Sequence, residues 1–175
     1  MPFIIQKYGG SSIGTIEKIK KVANKIIESK KNGNDIVVVV SAMQGETNRL
    51  TELAKSINVD ASGRELDTLL STGEQVTIAL LSLAISELGY KAISLTGAQA
   101  GIITSDIFNK ARIKYINSEK IKKLLRNDNI VVIAGFQGMT EQGEITTLGR
   151  GGSDTSAVAL SVALNADECQ IYSDV

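Results

Sequence analysis

The chain has 175 residues, 43% of them apolar and 22% charged, and 19 basic residues balance 19 acidic ones. That length can bury a sizeable core in one domain without staples, and the charge balance excludes the net basic footprint of a nucleic-acid binder. No histidine is present and Cys169 is the only cysteine, which excludes Ser–His–Asp and Cys–His pairs, imidazole zinc sites and an internal disulfide.

Cys169 therefore reads as a buried, inert thiol. No apolar run reaches membrane-spanning length, and the N-terminus lacks the regions of a signal peptide. A soluble, cytoplasmic protein is expected, one that works with carboxylates, Lys, Arg, hydroxyls, backbone amides and a bound hard cation such as Mg²⁺.

Phe3 to Tyr8 reads as a strand and Gly9 to Gly14 as a loop. In the helix that follows, Ile16, Ile19, Val22, Ala23, Ile26 and Ile27 recur at helical spacing, and Lys18, Lys20, Lys21 and Lys25 form a solvated face. Asn32-Gly33 stops it. Ile36 to Val40, apolar on both faces, predicts a strand inside a parallel sheet. A loop from Ser41 to Thr47, a short helix and a polar joint from Asn58 to Gly63 come next.

Leu66, Leu69, Leu70, Gly73, Val76, Leu80, Leu83, Ala84 and Leu88 then mark one long helix or two abutting ones. Ala92 to Leu95 is a strand, Ile102 to Thr104 another short one, and residues 105 to 117 fit neither pattern well. Ser118 opens a helix to Arg126, and Ile130 to Ala134 is a second strand apolar on both faces. A hairpin around Gly143 leads to the glycine stretch Thr146 to Asp154, with Ser153 as N-cap of a helix to Asn165 that is apolar nearly all round and expected to be buried. Gln170 to Ser173 is a last strand. The alternation predicts an α/β fold, a mainly parallel sheet between helical layers.

Ligands of such a sheet bind beyond the carboxyl ends of its strands. Four loops collect there: Lys7 to Ser12, Ser41 to Thr47, Phe136 to Asp154, and Ser173-Asp174. The glycine stretch suits an anion, because its three glycines let the backbone approach closely, the helix start supplies N–H groups, and Arg150 adds a fork of donors. The same residues also fit a capped glycine turn with Arg150 paired to a surface acid. Lys7 precedes Gly9 and Gly10, so this is not a Walker loop, where the lysine follows the glycines. Lys7 can reach a phosphate as a point charge or stand exposed before a turn. Glu74 lies four residues from Leu70 and Ile78, on or beside the apolar stripe, so it needs a ligand or a partner such as Arg64 or Arg150. Asp154 can act as a charge at the helix N-terminus. The basic residues Lys110, Arg112, Lys114, Lys120, Lys122, Lys123 and Arg126 read as a solvated face.

Lys7-Tyr8-Gly9-Gly10-Ser11-Ser12, Val40-Ser41-Ala42-Met43, Leu69 to Gln75, Gly135-Phe136-Gln137-Gly138 and Thr146 to Asp154 together resemble the signatures of aspartate kinase, one of the amino-acid kinases. The resemblance runs in order over the whole chain. It implies a three-layer α/β/α sandwich that phosphorylates the side-chain carboxylate of L-aspartate with ATP and Mg²⁺, towards lysine, threonine and methionine. It further implies that Lys7 holds the transferred phosphoryl group, with Gly9, Gly10 and Ser11 around the phosphates. Ser41, Thr47, Glu74, Phe136, Arg150 and Ser153 would line the aspartate site, with Arg150 on a carboxylate and Glu74 on the ammonium. Asp154 would organise the lysines, and Ser173 and Asp174 would begin the nucleotide site.

No protein metal ligand, nucleic acid or membrane is implied, and the full-length protein would be a homo-oligomer. Tyr8 and Ser11 stand where the family more often has phenylalanine and threonine. The family continues past the position of Val175 with the rest of the nucleotide site and two regulatory ACT domains, so residues 1–175 are expected to be the N-terminal portion of the catalytic domain. A sister kinase of glutamate, N-acetylglutamate or a nucleoside monophosphate, and a fragment that binds aspartate without turnover, are the alternatives.

Overall fold

The computed structural model describes residues 1–149 and 151–173. In chain order the elements are β1 (Phe3–Tyr8), α1 (Ile16–Lys31), β2 (Asp35–Val40), α2 (Glu46–Ile57), α3 (Arg64–Glu87), β3 (Ala92–Leu95), β4 (Ile102–Thr104), β5 (Ile113–Ile116), α4 (Glu119–Arg126), β6 (Ile130–Ala134), β7 (Gln137–Met139), β8 (Ile145–Thr147), α5 (Gly152–Leu164) and β9 (Glu168–Tyr172). A single 3-10 turn, Gly10–Ile13, joins β1 to α1.

The strands apolar on both faces lie at the centre of a parallel sheet ordered β3-β6-β2-β1-β9. Ile36 to Val40 and Ile130 to Ala134 are fully buried. Each such side chain contributes roughly 1.5–3 kcal/mol through loss of apolar surface from water. On one side of the sheet Val38, Val40, Ile130 and Val132 pack against Ile19, Ala23 and Ile26 of α1 and Ile78, Leu81 and Ile85 of α3. On the other, Val37, Val39, Val131 and Ile133 meet Ile121 of α4 and Ala157 and Leu160 of α5. The result is the expected α/β/α sandwich. The strand order turns back at β1, with β2 on one side and β9 on the other, and a crevice opens at such a switch point.

Several sequence expectations fail in detail. Residues 102 to 147 contribute a second sheet, β5-β4-β7-β8, with β4 and β7 parallel and the outer pairs antiparallel. The long helix is continuous, but its inner face is Asp67, Leu70, Ser71, Glu74, Thr77, Ile78, Leu81 and Ile85. Val76, Leu83 and Leu88 from the predicted stripe are 48%, 67% and 43% exposed, as is Ile16 on α1 at 51%. By length and composition α3 also qualifies to cross a membrane, which the reading of apolar runs missed, yet half of that stretch is buried inside the fold together with two carboxylates.

Ser153 is not the N-cap of α5: Gly151, at φ 83°, takes that position, and Ser153 lies inside the first turn. Nor is α5 buried all round, since Val158 and Val162 face outward. Cys169 is exposed because it lies on the outermost strand. Partial desolvation and the nearby charge of Asp154 push its thiol pKa up, which leaves it a poor nucleophile.

Candidate active site

Two close approaches bring the loops of the strand ends together. A Cβ on Gly135, just past β6, would stand 2.6 Å from Ser153 Cβ, so only glycine lets the start of α5 come down onto the sheet. A Cβ on Gly73 would stand 2.9 Å from Ala42 Cβ, so α3 lies directly against the loop after β2. Between these contacts is a pocket of about 460 Å³. It collects Lys7 and Gly10 from the end of β1, Ser41 and Thr47 from beyond β2, Glu74 from α3, Phe136 from beyond β6, and Ser153 and Asp154 from α5.

Lys7 is the cationic feature of the floor. It is 8% exposed, and its Nζ lies 2.8 Å from Asp154 Oδ1, which itself is 54% exposed. The pairing draws Asp154 over the pocket from the first turn of α5, where its charge also faces the helix dipole. Gly9 lies close over Lys7: a Cβ there would be 3.4 Å from Nζ. Its N–H is directed at Tyr172 O at 3.5 Å, not into the pocket. The first hydrogen bond of the 3-10 turn is Ser12 N to Gly9 O, 3.0 Å, so the Gly10 and Ser11 amides precede it, as the orphan donors of a helix start do. Ser11 O accepts from Lys18 Nζ at 2.9 Å.

Glu74 is 2% exposed. Its partner is neither Arg64 nor any other cation among the described residues. Gln137 Nε2 donates to its Oε1 at 2.8 Å. Burial pushes its pKa from 4.5 up to about 7, partly offset by the hydrogen bonds from Gln137 and from the backbone, including Ala42. Arg64 pairs instead with Glu65 and Glu144 at the surface.

Ser41 Oγ and Ser153 Oγ are 2.6 Å apart and bridge the two loops. Phe136 has φ 71°, an uncommon left-handed setting for a side chain of this kind. Its N–H is held by Ser156 Oγ at 3.0 Å, and its carbonyl accepts from Leu148 N at 2.8 Å. Thr47 sits in the first turn of α2. Ser11 and Ser173 do not line the pocket, and Arg150 and Asp174 lie outside the described residues.

Sequence reasoning missed three buried residues behind this lining. Gln137 and Ser156 carry no compositional signal. Asp67 does carry one, because it stands seven residues before Glu74 on the same helical face. It is fully buried; its Oδ1 accepts from Thr147 Oγ1 (2.6 Å) and Asn109 Nδ2 (2.7 Å), and its Oδ2 from Thr147 N (3.0 Å) and Asn109 N (2.9 Å).

A larger open groove of about 1350 Å³ runs between α5 and β5 and, among the described residues, shares only Asp154 with this site. Its walls are mainly aliphatic, and Lys110, Arg112 and Lys114 of the basic cluster line one side. Its charged groups, Lys110, Arg112, Lys114 and Asp154, are all exposed, whereas the smaller pocket sets a buried lysine and a buried carboxylate among hydroxyls and is therefore the better candidate for chemistry.

The sequence model of the amino acid kinase family matches residues 2–175. An aspartokinase of Bacillus sp. (strain MGA3) is 61% identical over 175 residues, which is all of this chain and 43% of that protein. The aspartokinase of Geobacillus stearothermophilus is 58% identical with the same coverage of both chains. The chain thus spans less than half the length of these relatives. Among solved structures, aspartate kinase from Synechocystis superposes with a TM-score of 0.83 at 53% identity, covering 98% of this chain and 28% of that one. E. coli aspartokinase III in complex with aspartate and ADP has a TM-score of 0.86 over 99% of this chain and 49% of that one; at 22% identity it bears on the fold alone.

Proposed function

The chain belongs to the amino acid kinase family, and from that premise we propose that it is the N-terminal part of an aspartate kinase, which transfers the γ-phosphoryl group of ATP to the side-chain carboxylate of L-aspartate. One observation carries the reading. A single pocket holds a lysine–carboxylate pair for the phosphoryl group and, on another wall, a buried carboxylate with no cation beside it among the described residues.

In the proposed reaction a substrate carboxylate oxygen attacks the γ-phosphorus, the bond to the β,γ-bridging oxygen breaks, and ADP leaves. The nucleophile is already ionised at neutral pH. The protein therefore has to position the reactants and neutralise charge, and no general base is needed. Lys7 would offset the charge on the transferring group, and Asp154 would hold the Lys7 ammonium in place. Gly10 and Ser11 would present the amides of the 3-10 turn to the phosphates, with Gly9 packed over Lys7. Glu74 would take the substrate ammonium, Ser41 and Ser153 a substrate carboxylate together with Arg150, and Thr47 and Phe136 the walls. Ser173 and Asp174 would lead into the nucleotide site.

The described residues hold no cluster of three candidate metal ligands. The donor set suits a magnesium ion carried in on the triphosphate, which needs only one or two protein carboxylates and which neutralises phosphate charge when bound. The same reading takes the protein to be cytoplasmic, where ATP is available, and a homo-oligomer at full length, which its mass in light scattering would test.

The relatives named aspartokinase support the choice of substrate. A hydroxamate assay on the full-length protein with Mg·ATP tests it: aspartate should give the highest kcat/KM, and a preference for glutamate would overturn the assignment. The fraction of its relatives that the chain spans favours one further reading, in which these 175 residues alone bind aspartate but not ATP. Titration calorimetry on the isolated chain distinguishes the two.

A further inference from the structure

We infer that Gln137 is a positioning residue that fixes the carboxylate of Glu74 for the substrate ammonium, an inference that rests on the role proposed above for Glu74. Gln137 does not line the pocket and is 2% exposed, so its side chain acts from behind. Its Nε2 donates to Glu74 Oε1 at 2.8 Å and to Ser71 O at 3.0 Å, and its Oε1 accepts from Gly97 N at 3.2 Å. Two acceptors and one donor surround the amide, so only one orientation of it satisfies all three partners. Gly97 also packs closely on this residue: a Cβ there would lie 2.2 Å from the Gln137 backbone O and 3.0 Å from its Cγ. With all three of these bonds made, the amide is held behind the pocket wall and one oxygen of Glu74 is fixed from that side.

Gln137 is also the side-chain donor that favours the charged form of Glu74 against burial. The other elements packed on this part of α3 bring few charges. The strands β2, β3, β6 and β8 present apolar and hydroxyl side chains there, and α1 presents isoleucine, valine and alanine. On α2, Glu46 is tied to Arg49, and across the pocket Lys7 and Asp154 are tied to each other. Loss of the Gln137 donor is then felt chiefly at Glu74.

The test is the pH dependence of the aspartate KM, from pH 5.5 to 8.5, in the full-length protein carrying Gln137→Leu, Gln137→Met or Glu74→Gln. In the unaltered protein KM should fall as pH rises through about 7, as Glu74 ionises. Gln137→Leu and Gln137→Met should raise KM about fivefold at pH 7, the effect of a one-unit rise in the Glu74 pKa on a group already half ionised there. They should converge to within about threefold of the unaltered protein at pH 8.5, with kcat nearly unchanged. Glu74→Gln should give a high KM at every pH. A Gln137→Leu profile that is raised equally at all pH values, or not at all, beside a flat and elevated Glu74→Gln profile overturns the positioning role and leaves the role of Glu74 standing. An unchanged KM in Glu74→Gln overturns both. Gln137→Met retains the side chain's length and volume and serves where the leucine variant fails to fold.

Discussion

Two carboxylates lie on the inner face of α3, two turns apart, and both are buried: Asp67 at 0% and Glu74 at 2% exposure. Asp67 is saturated. Four donors converge on its two oxygens, two from Thr147 and two from Asn109. Glu74 has one side-chain donor, Gln137, and weaker backbone help, including from Ala42, that leaves burial dominant and its pKa lifted to about 7. Nothing in residue type or burial separates the two; the number of donors does. A carboxylate whose lone pairs are filled from the protein holds a structure together, here tying the first turn of α3 to β8 and to the Asn109 loop. A carboxylate left short of donors next to a pocket is prepared for something that enters it.

The pocket side of that contrast should show the largest effect on activity with the smallest on stability. Lys7→Met removes the cation beside the proposed reaction centre, so kcat should fall about 1000-fold while the aspartate KM stays within about threefold. Asp154, at 54% exposure, is left facing water and not buried without a partner, so the unfolding midpoint should barely move. Steady-state kinetics and urea unfolding on the same sample measure both. A large loss of stability with unchanged kcat would reverse the assignment of sides.

Asp67→Asn tests the clamp. An amide group has two donors of its own, and either rotamer sets –NH₂ against an oxygen site at which two donors already converge. The expected cost is about 3 kcal/mol of folding stability, the loss associated with leaving buried polar groups unsatisfied, and it should appear in the urea midpoint. The aspartate KM of the folded fraction should remain within about twofold. A KM change larger than the stability change would mean that Asp67 belongs to the pocket after all.

The contrast also explains what could be read from the chain. The strands Ile36 to Val40 and Ile130 to Ala134 were legible because strands buried on both faces are apolar throughout, and α1 because most of its apolar positions mark its inner side. α3 misled because its inner face carries Asp67, Ser71, Glu74 and Thr77 while Val76 and Leu83 face out. Its hydrophobicity and its burial therefore follow different stripes. Of the second sheet, Ile102 to Thr104 and the hairpin around Gly143 were legible, but β5 and the pairing of these strands into a sheet of their own were not, because strands of three or four residues hold too little alternation to show their partners. In the site, Lys7 was legible from its place at a strand end, Glu74 from its helical face and Asp154 from its glycine loop. Gln137 and Ser156 were not, since their role arises only when Glu74 or Phe136 is brought against them by the folded chain.

Glu74→Gln sharpens the comparison through pH. The folded protein holds the Glu74 proton more tightly than the unfolded chain does, from 4.5 up to about 7. Its contribution to stability is therefore complete below pH 4.5 and lost as pH rises through about 7. The full loss is at most about 3 kcal/mol. Removing the charge should then stabilise the ligand-free protein by about 2 kcal/mol at pH 8, because the glutamine oxygen can still accept from Gln137. The gain should vanish near pH 4. Urea midpoints at the two pH values give the difference, and a variant less stable at pH 8 than the parent would place Glu74 with Asp67 as a structural group.

Arg64→Ala should have the smallest effect and acts as the control for the clamp. Arg64 opens α3, three residues before Asp67, and pairs with Glu65 and with Glu144 just ahead of β8, so it spans the same two elements that Asp67 joins. All three side chains are exposed, at 53%, 79% and 39%, and exposed pairs lose most of their attraction to water, salt and side-chain entropy. The variant should unfold at the parent's urea midpoint within error, and raising the salt concentration should leave the parent unchanged as well. A destabilisation approaching that of Asp67→Asn would mean that the charges on the outside of this junction hold α3 to β8, and the buried carboxylate would lose its claim to be the clamp.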